Sequence, residues 1–489
     1  MMANETRFYL DIMQAPTEVT GSFNYCTLHV NDETIKFAVD CGMYQEKGYD
    51  EQNLSFPVNP KELDFAILTH NHVDHSGRFP YLVRQGFNNP IYTTVATSRF
   101  LGRAFEDNLK VMRDTGQHVN SGPLYDEHDL IKALSLLETC EYLEPVVVND
   151  HITLHFLWNG HLVGSSSVLI RFKNSGCKDF WVLFTGDYNN KNMFFPVPPY
   201  RNWIKKLPNL SVVCESTYGL MNSSEIHKCF EEYVIRALRE GKTIVIPAFS
   251  LGRSQEVLQT LKELQAKYPE EFKGIKIFFD GKLAFYYTKM YKKLWREEQV
   301  RIASNYPHRI VNFYEDKVDF LPNNLQYVND MNLRKKIIED ETQKIIVTTS
   351  GMGSYGPAQT YIPAYIQRKN VLILFTGYCA EGTLGRRLKD AEIGDIVRVG
   401  GLDVEKAGNV EFTNEFTAHA KADELIEYLL QFESLDTVLI NHGSNEAKAA
   451  FAKRVIREVK PKHVGRLGDG YIFRIDESGF VKQFSTEFK

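Results

Sequence analysis

The sequence predicts a mixed α/β protein in which a parallel α/β block is inserted into, or packed tightly on, a flanking mixed domain. Three observations carry this expectation. The first 210 residues or so read as short strands separated by turns, the chain from about residue 220 alternates helix with strand, and the tail returns to the mixed texture of the beginning.

Taken in order, the segments Asn24 to Val30, Ile35 to Val39, Phe65 to Leu68, His151 to Trp158, Ser166 to Phe172 and Phe180 to Phe184 are rich in β-branched or aromatic residues and read as strands. Helical patterns interrupt them at Arg78 to Gln85, Ala96 to Met112 and Asp126 to Leu137. A helix at Ile226 to Glu240, a strand at Thr243 to Pro247, a helix at Arg253 to Tyr268 and a strand at Ile275 to Phe279 open the middle block. Strands at Lys344 to Thr348 and Val371 to Phe375 each follow a helical segment, the signature of a parallel α/β unit. The tail adds a helix at Asp423 to Gln431, a strand at Thr437 to Ile440 and a helix at Glu446 to Val459.

A chain of 489 residues suggests two to four domains at about 150 residues each, which excludes a single small binding module. With 43% apolar and 24% charged residues, the composition is that of an ordinary globular protein. Lys and Arg total 57 against 62 Asp and Glu, a formal charge of -5, so a nucleic-acid partner would be held by local basic surface only. The seven cysteines (Cys26, Cys41, Cys140, Cys177, Cys214, Cys229, Cys379) are scattered and never spaced CxxC, which points to a reducing compartment. With no secretory h-region and no run of 18 apolar residues, a soluble, cytoplasmic protein is expected.

The strongest chemical signal is Leu68-Thr69-His70-Asn71-His72-Val73-Asp74-His75-Ser76-Gly77, placed where a strand ends and a helix begins. In an extended segment His70 and His72 point to the same side, so both reach one cation. Asp74 and His75 follow where the chain turns, which aims them at a second cation nearby. Imidazole and carboxylate without thiolate suit catalytic zinc. Further ligand candidates stand at strand ends: His161 in Asn159-Gly160-His161, Asp187 in Gly186-Asp187-Tyr188, where it could bridge two cations, and His442 in Asn441-His442-Gly443. Each taken alone is more often an ordinary turn residue. Asp40, in Val39-Asp40-Cys41-Gly42, reads as a residue that orients a ligand histidine.

These residues resemble, in order, the HxHxDH loop, later His, bridging Asp and final His of the metallo-β-lactamase superfamily. The segments Cys214 to Gly219, Pro247 to Arg253, Ser350-Gly351-Met352, Gly377 to Arg386, Phe416 to Ala420 and Asn441-His442-Gly443 resemble its β-CASP branch, which contains RNA-processing nucleases similar to the cleavage and polyadenylation endonuclease and to ribonuclease J. The resemblance implies a metallo-β-lactamase αββα sandwich built from residues 1–215 and 415–489, with a β-CASP domain over 216–414. It implies two Zn2+ per chain, with Mn2+ as the alternative: one on His70, His72 and His161, the other on Asp74, His75 and His442, and Asp187 between them. The acidic motif maps to Glu215 and the following histidine motif to His419; with Asp74 these are the expected catalytic residues. A His at the position of His442 accompanies RNA-directed members, whereas DNA-directed relatives tend to carry Val. This chain departs from the family where an acid is usual and it has Lys421, where Glu is usual and it has Ser444, and in lacking Asp-Arg after the ESTYG-like segment.

The implied chemistry is hydrolysis of single-stranded RNA by a hydroxide that two metals activate, leaving 5′-phosphate and 3′-hydroxyl ends. His419 is the candidate proton donor to the leaving 3′-oxygen, and Glu215 would hold it charged. Arg253 and Arg386, which follow glycines at strand-to-helix turns, and the glycine-rich turn at Ser350 and Gly351 are candidate phosphate contacts. The run Lys289, Lys292, Lys293, Arg296 with Tyr286, Tyr287, Tyr291 and Trp295 is either an RNA-tracking face or an ordinary amphipathic helix. Competing readings are a small-molecule hydrolase of thioesterase or lactonase type, a DNA nuclease and a non-catalytic scaffold subunit. Endonuclease and 5′-to-3′ exonuclease action both stay open; no membrane contact is expected, and a homodimer is an open alternative.

Overall fold

A computed structural model describes residues 7–15, 19–45, 49, 51–115, 122–194, 197, 200–226, 229–305, 320–377, 379, 382–399 and 401–485. The chain divides into two compact units, Met1–Ser223 with His419–Lys489, and Ser224–Ala418.

The first unit holds two sheets, and each takes strands from both ends of the chain. The eight-stranded sheet runs Gly479–Ser485, Tyr471–Asp476, Phe8–Gln14, Asn24–Val30, Glu33–Val39, Phe65–Ile67, Ile91–Thr94, Leu137–Cys140. The seven-stranded sheet runs His463–Arg466, Thr437–Ile440, Leu210–Cys214, Phe180–Phe184, Ser166–Phe172, Ile152–Trp158, Pro145–Val147. The strand Asn24–Val30 alternates buried and half-buried residues, the pattern of a sheet with one face on the core. Rings from the two sheets meet between them: Phe37 stacks 6.3 Å from Phe172, and Phe8 meets Phe180 at 5.0 Å. Helices Phe79–Arg84, Val95–Thr115 and Glu127–Ser135 send Phe79, Leu82, Leu101, Phe105, Leu130 and Ala133 onto Ala38, Ala66 and Ile91 of the larger sheet. This is the helix, sheet, sheet, helix layering expected of the sandwich, with Ala422–Leu429 bringing Tyr428 against Tyr188 on the far side.

The second unit is a six-stranded, wholly parallel sheet in the order Leu325–Val328, Lys276–Asp280, Lys344–Thr348, Thr243–Pro247, Val371–Phe375, Asn409–Phe412. Its central strands are apolar throughout because both faces are covered. Ile244, Ile246, Ile345, Val347, Leu372 and Leu374 enter one core with helices Phe230–Arg239 and Arg253–Lys267. Val245, Ile346, Ile373 and Phe375 enter the other with Ala358–Ile366 and Leu384–Asp390. The period of two thus splits one hydrophobic run between two cores.

Several elements differ from the sequence expectation. The helix read as Asp126 to Leu137 stops at Ser135, because Leu137–Cys140 pairs in parallel with Ile91–Thr94 as the sheet edge. The helix read as Glu446 to Val459 is α-helical only over Asn445–Arg454 and continues as a π-helical turn. In the aromatic and basic run, Tyr287 and Tyr291 are buried, so Lys282–Asn305 is an amphipathic helix rather than a stacking face; the side chains of Trp295 and Arg296 lie outside the described residues.

Candidate metal centre

The candidate ligands come together because they stand just beyond strand ends. Phe65–Ile67 leads through Leu68 and Thr69 to His70, Ile152–Trp158 to His161, and Phe180–Phe184 to Asp187. The parallel pairing of Phe180–Phe184 with Leu210–Cys214, and of that strand with Thr437–Ile440, then sets Asp187, Glu215 and His442 side by side. Asp74 and His75 lie in the short helix Val73–Ser76.

Two clusters result, each with ligand atoms within 4.8 Å of one another: His70, His72, His161 and Asp187, and Asp74, His75 and His442. His161 Nε2 lies 3.0 Å from His72 Nδ1. His75 Nε2 lies 3.1 Å from His442 Nε2 and 3.2 Å from Asp187 Oδ1, while Asp187 Oδ2 lies 3.4 Å from His70 Nε2 and 3.5 Å from His161 Nε2. Asp187 therefore faces both clusters, one oxygen to each.

The donor set fits divalent metal. His70 Nε2 and Asp187 Oδ1 are buried with no hydrogen-bond partner, which is costly unless a cation satisfies them. Burial, aided by neighbouring imidazoles, holds His70 well below the usual histidine range; burial also brings His72 down to about 4, so both are neutral and able to ligate. For Asp187, burial pushes upward, but the surrounding histidines outweigh it and keep the carboxyl ionised. His75 shows the opposite balance: burial pushes down, while Asp187 and Asp40 raise it.

Around the ligands stand the groups that aim them. Asp40 Oδ2 lies 2.7 Å from His75 Nδ1, and Asp40 Oδ1 accepts from Thr69 N at 2.8 Å. Thr69 Oγ1 lies 3.1 Å from His70 Nδ1, and Thr217 Oγ1 lies 2.9 Å from His442 Nδ1. Neither threonine stands out in the sequence: Thr69 merely precedes His70 and Thr217 lies two residues beyond Glu215, patterns too common to carry a signal. His442 and Asp40 both have positive φ, at 46° and 64°, conformations that cost energy in non-glycine residues and recur at functional sites.

His419 lies beside the clusters, its ring 4.8 Å from that of His161 and its Nε2 3.8 Å from Asp187 Oδ2. His419 Nδ1 sits 2.9 Å from Glu215 Oε2, and Glu215 Oε1 accepts from Tyr188 N. Burial pushes His419 down, but the Glu215 and Asp187 carboxylates outweigh it and raise it above the ordinary value.

The proposed phosphate contacts lie in the second unit, at strand ends of its sheet. Arg253 opens the helix Arg253–Lys267, is buried, and pairs with Glu256 at 2.8 Å, leaving Nε without a partner. Ser350 Oγ accepts from Tyr355 N at 3.2 Å, and Gly351 lies against the half-exposed Phe249. Arg386 lies in the first turn of Leu384–Asp390, where its N–H donates to Thr383 Oγ1, and its side chain pairs with Asp390 at 2.8 Å. Tyr378, Ala380 and Glu381 of the neighbouring motif lie outside the described residues.

A sandwich fold carrying buried His and Asp clusters of this kind at its strand ends defines a metal-dependent hydrolase. Family models match the chain in order: the metallo-beta-lactamase superfamily over residues 20–153, the Beta-Casp domain over 254–388 and the Zn-dependent metallo-hydrolase RNA specificity domain over 403–464. The chain belongs to the β-CASP branch of the metallo-β-lactamase superfamily. It is similar to the ribonuclease TTHA0252 of Thermus thermophilus, at 28% identity over 93% of this chain and 98% of that protein. It is also similar to an RNase J-like protein of Methanocaldococcus jannaschii, at 26% identity over 88% of this chain and 93% of that protein, and to the transcription termination factor FttA of Thermococcus kodakarensis, at 30% over 81% and 59%. The chain thus spans less than two thirds of that last protein's length.

Proposed function

We propose that the protein is a zinc-dependent ribonuclease that hydrolyses RNA phosphodiesters in RNA processing or decay. The observation that carries this reading is the pair of His and Asp clusters sharing Asp187, with the His419 and Glu215 pair alongside. His70, His72 and His161 would hold one zinc, Asp74, His75 and His442 the other, and Asp187 both. Bound there, the zinc ions would supply Lewis acidity, an activated water and charge neutralisation for the phosphodiester.

The remaining steps fall to the chain itself. Asp74, whose Oδ2 lies 3.6 Å from His442 Nε2, takes a proton from the attacking water as its oxygen bonds to phosphorus. The bond from phosphorus to the 3′-oxygen breaks, and His419 protonates that oxygen from Nε2 while Glu215 fixes Nδ1. The products are a 3′-hydroxyl and a 5′-phosphate. Arg253, Ser350, Gly351 and Arg386 contact backbone phosphates, with Phe249 offering a stacking ring.

The test is cleavage of 5′-labelled RNA and of DNA of the same sequence by zinc-loaded protein, with His72→Ala as control. RNA-selective cleavage that the substitution abolishes is expected. Intact RNA, or cleavage indifferent to His72→Ala, would sink the proposal.

A further inference from the structure

The helix Ala422–Leu429 is preceded by a residue of the wrong charge. A helix N-terminus presents unpaired N–H groups and partial positive charge, so its cap is ordinarily Ser, Thr, Asp or Asn. Lys421 occupies that place with only 3% exposure, and an ammonium has no atom that could accept from those N–H groups. Burying a cation there costs both desolvation and the cap.

The ammonium has been turned to another use. Lys421 Nζ donates to the backbone carbonyl of His419 at 2.8 Å and lies 5.3 Å from the centre of the Tyr218 ring. Tyr218 and Lys421 also pair as a parallel β-bridge, and the Tyr218 ring meets the His419 ring edge-on at 6.1 Å. The task of closing the helix end passes to Glu424, whose Oε2 accepts from Lys421 N at 2.8 Å and whose Oε1 lies 2.6 Å from Lys191 Nζ. On either side of the lysine the backbone is tied down: Ala420 N donates to Tyr188 O at 2.6 Å and Ala422 N to Met221 O at 2.9 Å. The same Tyr188 donates its N–H to Glu215, the partner of the His419 ring.

We propose that Lys421 is a positioning residue for His419: it gives up helix capping in order to clamp the carbonyl of His419, which holds the imidazole between Glu215 and Asp187. The inference rests on the proton-donor role proposed above for His419. An acid, usual at this place in the family, would cap the helix better but could not grip a carbonyl; in this chain the two tasks are divided, the helix end to Glu424 and the grip on His419 to Lys421.

That division of tasks supplies the test. The full metal-loaded chain is compared with Lys421→Asp, Lys421→Met and Lys421→Arg for melting temperature, metal content, kcat and KM on labelled RNA. Lys421→Asp is expected to melt no lower than the parent with the same metal content, yet to lose kcat by about tenfold to a hundredfold, as misplaced catalytic groups do, with KM little changed. Lys421→Met should lose kcat likewise, and Lys421→Arg, which keeps a donor, should recover part of it. Wild-type kcat in Lys421→Asp, or activity and melting temperature falling in parallel, overturns the inference. A crystal structure of Lys421→Asp separates the two claims: an opened contact between His419 and Glu215 supports the clamp and a retained one refutes it, even if the parent protein leaves RNA intact and only the ribonuclease reading falls.

Discussion

Glu215 and His419 are 204 residues apart in sequence yet make a 2.9 Å contact, and this pair sets the chemistry expected of single residues here. Glu215 contributes the largest upward push on His419 against the downward push of burial. The proposed donor His419 works only while protonated, so kcat should fall as pH rises through its raised pKa. In Glu215→Gln that push is gone, and the alkaline limb of the kcat profile should move toward lower pH; a limb that stays in place would refute the assignment. At this scale much was legible in the sequence. His70, His72, Asp74 and His75 stand together in one short segment, so their spacing alone brought them to one place. The threonines that orient the ligands were not legible, because Thr69 and Thr217 acquire meaning only from the ring nitrogens they meet.

The short helix Val73–Ser76 carries two candidate ligands and cannot stand by itself, since so few residues do not offset the cost of helix nucleation. It is held from outside by two segments: Cys41 N donates to His75 O at 2.7 Å and Met43 N to Val73 O at 2.9 Å from a strap over residues 41–43, and Ser22 N donates to Asp74 O at 2.9 Å. Buried Arg78 locks the strap by donating to Gly42 O at 2.5 Å and to Gln52 O at 2.8 Å beneath the rings of Tyr44 and Phe56. Gly42 leaves no room for a side chain, because a Cβ there would overlap the carbonyl of Asp74. Gly42→Ala should therefore destabilise the protein by about 1–3 kcal/mol, the usual cost of overpacking, and lower its metal content. Urea unfolding and metal analysis check this, and an unchanged midpoint would show that the strap is slack. The helices Val95–Thr115 and Arg253–Lys267 lie within a few residues of the sequence reading, whereas the strands Phe8–Gln14, Ile91–Thr94, Leu325–Val328, Tyr471–Asp476 and Gly479–Ser485 are absent from it, because short or mixed-polarity segments carry too little periodicity.

At the scale of the molecule, the formal charge of -5 says little about the proposed substrate, since Asp74 and Asp187 are among the carboxylates that two dications would offset. Metal binding only to the folded chain stabilises it by mass action, worth about 2.7 kcal/mol per site at a metal concentration a hundredfold above Kd. Chelation should therefore lower the melting temperature and zinc should restore it; a melting temperature indifferent to both would argue against a structural grip on metal. The family models follow one another along the chain in the order the motifs suggested, each matching a separate stretch. By itself the sequence determined the α/β class, the candidate ligand types and the wholly apolar strands of the parallel sheet, because side-chain periods of two and 3.6 and the preferences of single residues are local properties. Only the tertiary structure decided that Asp187 faces both clusters, that His442 meets His75 across 367 residues, and that a buried lysine at a helix start donates to the carbonyl of His419. Those outcomes depend on which strands pair, and pairing is settled by the burial of whole sheet faces, which no short window of sequence contains.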